Sequence, residues 1–276
     1  LFLFANPDIF VSASPIDIYM KRGSLHSLLL ALALVLQACA WDATIAAPKS
    51  APPPKCGEIE PIRETPQEQP FFLRGFSLLE EEQEPAVGYL STADGRMVGS
   101  AVLISPRVAI TAAHCVLAGY NLTHFTAGGI PHEVRFTAVH PQCSFGGVWM
   151  LDVALVFLYE DSCIAPMPIA PTGYQYTQRE PLTAIGYGGG VKKRSNPDTL
   201  WYYGTLVEEP WVFKMLPLDG TVWFGDSGGA IVNAKGELVG VVSSLGIYNG
   251  NLYENSAVRL DLIHKWITQT QEAVCN

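Results

Sequence analysis

From Pro85 to Val242 the chain is a succession of short apolar runs, each cut off by Gly, Pro, Asn or Asp. The runs include Val98 to Ile104, Val134 to Val139, Val153 to Leu158 and Leu182 to Ile185, then Trp201 to Val207, Ala230 to Val232 and Leu238 to Val242. Runs this short, spaced by turn formers, predict an all-β sandwich or barrel. No repeat at a fixed period is visible. The end of the chain differs: Leu260, Ile263, Trp266, Ile267 and Thr270 recur at helical spacing, which predicts an amphipathic helix over Arg259 to Ala273. Its apolar face suits core packing. With 276 residues, 49% of them hydrophobic, the chain is long enough for one or two domains with a full core.

Against this background, Gly225-Asp226-Ser227-Gly228-Gly229 stands out, flanked by the apolar Val222-Trp223-Phe224 and Ala230-Ile231-Val232. Taken alone, a Gly/Ser run is more often a hairpin turn than a site. Two other stretches change that reading. Ile110-Thr111-Ala112-Ala113-His114-Cys115 supplies an imidazole, and Asp152-Val153-Ala154-Leu155-Val156 supplies a carboxylate ahead of an apolar run. A serine hydroxyl is a weak nucleophile until a base takes its proton. An imidazole is that base, and a carboxylate fixes its tautomer. Glycines beside the serine allow a turn that aims two backbone N–H groups at one point, as stabilisation of an oxyanion requires.

With their flanks, and in the order His…Asp…Ser, the three stretches resemble the chymotrypsin/trypsin family of serine endopeptidases. Gly186-Tyr187-Gly188 resembles the family's Gly-aromatic-Gly segment, and Trp266-Ile267 its terminal helix; the likeness spans residues 72–276. It implies an all-β fold of two antiparallel six-stranded β-barrels with a cleft between them and a C-terminal α-helix. It also implies hydrolysis of protein or peptide substrates through an acyl-enzyme on Ser227, without a metal or organic cofactor. His114 is the expected general base, Asp152 the carboxylate that orients it, and the N–H groups of Gly225 and Ser227 the oxyanion hole. Gly225-x-Ser227-x-Gly229 also fits the elbow of α/β-hydrolases, but that fold needs an acid and then a histidine after the serine. His264 is the only histidine that follows, with Asp261 three residues before it on the expected helix. Two alternatives of another kind stay open: a latent zymogen, and a non-catalytic homologue that acts as a binding module.

The chain departs from the family in informative places. Trypsins carry an aspartate six positions before the nucleophile; here that position is Thr221, so a preference for Arg or Lys is not expected. Ser243-Ser244-Leu245 takes the place of the segment that pairs with substrate backbone. Leu245 replaces a glycine common at the pocket mouth, and Asn255 breaks a small-residue pattern. Small or medium uncharged side chains are the expected substrates. Cys115 normally bonds a cysteine where this chain has Gly99, so a free, buried thiol is expected. Cys143 and Cys163 flank the Asp152 strand and are candidates to pair, as are Cys56 and Cys275. Phe71-Phe72-Leu73-Arg74-Gly75 lies at the family's activation junction, where cleavage frees an ammonium that pairs with the carboxylate before the nucleophile, here Asp226. The usual Arg-Ile-Val-Gly-Gly is not present. Cleavage near Phe72 or Leu73 and an ion pair from another group both remain open.

The N-terminal part reads as three segments: an upstream extension over 1–19, a signal peptide over 20–39 and a proline-rich tether or propeptide over 40–70, ahead of the protease domain at 71–276. Met20-Lys21-Arg22 is a basic start, followed by an apolar run from Leu28 to Leu36 that is too short to span a bilayer comfortably. Leu36-Gln37-Ala38-Cys39 resembles a bacterial lipobox, which would attach the chain to a membrane through lipidated Cys39; Ala38-Cys39-Ala40 also fits ordinary cleavage. The expectation is export, either to the bacterial cell envelope as a lipoprotein or into the medium. Glu80-Glu81-Glu82 and Glu84 read as a solvated loop or, alternatively, a calcium site. The net charge of −9 and the lack of a basic cluster argue against a nucleic-acid partner. Asn121-Leu122-Thr123 is a glycosylation sequon, idle if the lipobox is real.

Overall fold

A computed structural model of the chain describes residues 75–145, 149–196, 199–205, 210–217, 222–248 and 251–275. The segments expected at 1–19, 20–39 and 40–70, with Cys39 and Cys56, lie outside them, and so does Thr221. Among the described residues the strands are β1 (Phe76–Leu78), β2 (Val87–Thr92), β3 (Met97–Ser105), β4 (Val108–Thr111), β5 (Leu122–Ala127), β6 (Ile130–Val139), β7 (Ser144–Phe145) and β8 (Trp149–Met150). They continue as β9 (Ala154–Leu158), β10 (Thr183–Gly186), β11 (Lys193–Ser195), β12 (Leu200–Thr205), β13 (Val212–Pro217), β14 (Ala230–Val232), β15 (Leu238–Tyr248) and β16 (Asn251–Arg259). Helix α1 is Ala113–Leu117 and helix α2 is His264–Cys275.

The first half is a closed six-stranded barrel in the order β2-β3-β4-β9-β6-β5. Its β9, Ala-Leu-Val-Phe-Leu, is buried at every position. This explains why its sequence is a continuous apolar run rather than an alternating one: neither face meets water. Phe157 sits at the centre, stacked on Phe136 at 4.5 Å between ring centroids.

The second half is an eight-stranded antiparallel sheet in the order β1-β11-β10-β14-β15-β16-β13-β12. It packs Phe213, Met215, Ile231, Val239, Val242 and Ala257 into a core. Two regular six-stranded barrels are the family's expectation, and here the second departs from it. The sheet curls until β12 meets the entry to β10, through an isolated bridge between Pro181 and Trp201 and the bonds Leu182 N–H to Leu200 O (2.9 Å) and Tyr202 N–H to Glu180 O (2.9 Å). Pro181 sits at the non-hydrogen-bonded position of this antiparallel pair, where the flanking residues make the bonds and a missing N–H costs nothing. The extra strands β11 and β1 extend the other edge.

Helix α2 begins at His264, five residues later than the periodicity predicts. Residues up to Arg259 are taken by β16, which pairs on both sides, with β13 and β15. Leu260, Ile263 and Ile267 are buried as the period requires, and Trp266 sets its ring edge-on to His140 at 4.7 Å.

The expected Cys143–Cys163 disulfide is absent, and both thiols are free. Cys143 lies on the Asp152 side of β9, and its thiol feels the Asp152 carboxylate. Cys163 lies past the other end, beyond Leu158. A five-residue strand is about 17 Å long, while a bridge needs Cα atoms within about 7 Å. Cys115 is free and buried, as expected.

Removing the Phe157 ring should leave a cavity in the closed barrel. Phe157→Ala is expected to lower unfolding stability by about 3–5 kcal/mol, seen as a reduced urea midpoint with an unchanged slope. A loss under about 1 kcal/mol, the scale of a surface substitution, would contradict the packing described.

Candidate active site

His114 and Asp152 are delivered by consecutive parts of the first barrel. Strand β4 ends at Thr111, whose hydroxyl donates to Ser100 O at 2.7 Å, and α1 begins two residues later with His114 in its first turn. Asp152 precedes β9, the antiparallel partner of β4, with Thr111 opposite Ala154. Pairing of the two strands therefore brings the imidazole and the carboxylate together. The peptide before Asp152 is strained: Leu151, buried, is held at φ 45°. That conformation is costly for a branched side chain and persists only where surroundings impose it. Here Val153 N–H donates to Leu151 O at 2.7 Å and His140 N–H to Val153 O at 3.0 Å.

The Asp152 side chain is fully buried. Its Oδ1 accepts His114 N–H at 2.9 Å. Its Oδ2 is 2.7 Å from His114 Nδ1 and accepts the Ser243 hydroxyl at 2.7 Å. A buried carboxylate is tolerable when its lone pairs are met in this way. The bond to Nδ1 leaves the other ring nitrogen, Nε2, to act as the acceptor in neutral His114. Burial by itself disfavours the imidazolium. The sulfur of adjacent Cys115 and the Asp152 carboxylate favour it, and the balance lies well above the ordinary value of 6.5. The His114 side chain stays 26% exposed, open toward solvent on one side.

Ser227 lies on the turn between β13 and β14, lodged against the first barrel. Its carbonyl accepts Ser100 N–H at 2.8 Å and, weakly, the Cys115 thiol at 3.8 Å. The next residue, Gly228, has φ 84°, and a Cβ there would lie 2.1 Å from Ser100 O and 2.2 Å from Thr111 Oγ1. Only glycine lets the Ser227 turn settle so near β3 and the end of β4, which leads into the helix that carries His114. Gly225 is required for the same kind of reason: at φ 102° a Cβ would lie 2.6 Å from Tyr187 O. The amides of Asp226, Gly228 and Gly229 are spent inside the fold, on Trp223 O (2.9 Å), Val242 O (2.8 Å) and Asp226 O (2.8 Å). Ser100 Oγ ties the turn down by donating to Gly225 O at 2.7 Å and accepting Tyr187 N–H at 2.9 Å.

The profile of the trypsin-like peptidase domain matches residues 99–241, more than half of the chain. The chain belongs to the trypsin-like peptidase family. Family membership carries protein substrates with it. A search of curated proteins returns no match. Among solved structures, this peptidase domain resembles neuropsin, a serine protease expressed in the limbic system of mouse brain, with 18% identity over 70% of this chain and 96% of that one at a TM-score of 0.57. It also resembles the Vibrio cholerae VesB protease, with 18% identity over 71% of this chain and 67% of that one at a TM-score of 0.61. At such identity the likeness establishes a trypsin-like fold.

The segment expected to meet substrate divides its tasks within this peptidase. Ser243 is buried and turns its hydroxyl to Asp152, so its side chain serves the carboxylate rather than a ligand. Ser244 is exposed and bonds to Ser256 Oγ at 2.6 Å. Leu245 lies on β15 opposite Asn255, which is fully buried and faces Met215 across the next ladder.

Lys193 places a buried charge beside the candidate site that no motif in the sequence marks. Its ammonium is 2.8 Å from Asp226 Oδ2, with no side-chain exposure. The same carboxylate accepts Gly188 N–H at 2.6 Å through Oδ1 and Trp223 N–H at 2.7 Å through Oδ2. The signal was available as Lys192-Lys193-Arg194 between a triple glycine and a turn. A strand through it sends the middle lysine to the opposite face.

In an NMR titration, His114 is expected to lose its proton above 6.5. In Asp152→Asn the titration should move down, because burial then meets less opposition. A midpoint unmoved by the substitution would mean that Asp152 does not act on the imidazole.

Proposed function

We propose that this peptidase is a serine endopeptidase that cleaves peptide bonds through an acyl-enzyme on Ser227. The observation that carries the reading is the buried Asp152 carboxylate held on both the backbone and the ring of His114, beside the turn that bears Ser227. Asp152 keeps the His114 proton on Nδ1, so Nε2 is the nitrogen that takes the proton from the Ser227 hydroxyl. The Ser227 oxygen adds to the scissile carbonyl, whose oxygen becomes an anion received by the N–H groups of Gly225 and Ser227. The imidazolium then gives its proton to the leaving amine, the C–N bond breaks and the acyl group remains on Ser227. Water, deprotonated by His114, releases the acid and restores the serine.

Uncharged side chains of small or medium size are the proposed substrates next to the cleaved bond. Thr221 supplies no carboxylate for a cation, and Leu245 and Asn255 stand where smaller residues are usual near the pocket. Export, as a lipoprotein or into the medium, rests on the pattern from Met20 to Cys39.

A fluorophosphonate should label Ser227, and Ser227→Ala should abolish both label and peptide cleavage. Asp152→Asn should lower kcat by about 10⁴-fold, as loss of the tautomer-fixing carboxylate does elsewhere. His114 must be neutral to act as base, and its proton affinity is raised. The acidic limb of kcat/KM should therefore fall off below a midpoint above 6.5. Cleavage that persists in Ser227→Ala would sink the assignment.

A further inference from the structure

The pair between Lys193 and Asp226 is buried immediately beside the nucleophile, and its consequence for regulation rests on the reading of Ser227 just given. Asp226 is bonded through its own backbone to Gly225 and Ser227, whose amides must both point at one oxygen. A carboxylate sealed from water needs a cation and donors; lacking them, it must take up a proton or leave the interior with its peptide. Here all of them are present. Oδ1 receives Gly188 N–H at 2.6 Å, and Oδ2 receives Trp223 N–H at 2.7 Å and the Lys193 ammonium at 2.8 Å.

The cation comes from within the folded sheet. Lys193 opens β11, which pairs with β10 on one side and with β1 on the other. Alternation along Lys192-Lys193-Arg194 explains how it gets inside. Lys192 reaches Glu81 O at 2.8 Å and Arg194 reaches Glu84 Oε1 at 2.7 Å, on the face that carries the acidic loop, while Lys193 turns to the opposite face. The acidic loop is therefore a clamp on β11 rather than merely solvated.

The segment just after the expected junction is also occupied. Gly75 O accepts Asn196 N–H at 2.7 Å, Phe76 stands opposite Ser195 and Leu78 opposite Lys193. The Phe76 ring lies 4.3 Å from the Lys193 ammonium and is itself buried. This stretch is zipped into the sheet edge as a lid on the lysine. A freed amino terminus at Gly75 or Phe76 would have to leave that ladder and displace Lys193 to reach Asp226.

We infer that Lys193 is a built-in counter-ion of Asp226, a positioning residue that holds the Gly225–Ser227 turn in its reactive form without any cut ahead of Gly75. The full chain should react with a fluorophosphonate at Ser227 while mass spectrometry finds residues 58–76 still continuous, and limited proteolysis there should not raise the rate. Lys193→Met should slow labelling by about 100-fold, the scale of a lost oxyanion donor, with the loss in kcat exceeding the rise in KM. Because that variant leaves a buried lone carboxylate, Lys193→Met/Asp226→Asn is the companion. The double variant should regain the urea midpoint but not the labelling rate, whereas a merely structural pair would regain both. Labelling that appears only after a cut ahead of Phe76 overturns the inference, as does a wild-type rate in the double variant. No labelling of either the cut or the uncut chain overturns the Ser227 reading itself, and this inference with it.

Discussion

Asp152 is the point at which the two halves of the molecule depend on one another. Its carboxylate has no contact with water. Its donors come from both sides: the backbone and ring of His114 on α1 of the first barrel, and the hydroxyl of Ser243 on β15 of the second sheet. The first barrel supplies two of these donors and the second sheet the third. The desolvation cost is offset only once the barrels are docked, so the arrangement of the site and the docking of the halves are one event. Strain at Leu151 belongs to the same constraint, since the chain must turn sharply to present Asp152 before entering the buried β9.

A second buried carboxylate, Asp226, follows the same logic at the neighbouring turn. Its two backbone donors and one ammonium fix the peptide on which Ser227 is carried. The environment differs in one respect that matters for chemistry. Asp152 meets an imidazole that is partly open to solvent. Asp226 meets a lysine enclosed by Phe76, in a setting built to stay as it is. One carboxylate is bonded to an imidazole and the other to an ammonium and two backbone amides. Glycines at 225 and 228 are the steric complement of this arrangement, since backbone from Tyr187 and Ser100 occupies the space that side chains would need.

Much of this was legible in the chain itself. Short apolar runs marked the strands because a half-buried or fully buried strand leaves that trace, and β9 appears as its run required. The residues around His114, Asp152 and Ser227 were legible through their flanks. What could not be read were long-range choices. Arg259 fits a helical period, yet β13 and β15 both offer it a strand ladder and win. Cys143 and Cys163 are close in sequence, but β9 separates them lengthwise. Lys193 hides among three consecutive basic residues that look solvated, because alternation alone does not say which face is inside. Closure of the second sheet at Pro181 is a long-range pairing with Trp201 at a place no local pattern marks as a seam.

The account stands on Ser227 facing a pair of amides that accept a developing negative oxygen. A crystal structure of the chain after reaction with diisopropyl fluorophosphate tests this directly. It should carry phosphorus on Ser227 Oγ, with one phosphoryl oxygen about 2.7–3.1 Å from both Gly225 N and Ser227 N, and the His114 ring beside the adduct, still bonded to Asp152. An adduct whose oxygen meets neither amide, or a phosphorus atom on any other side chain, would contradict it.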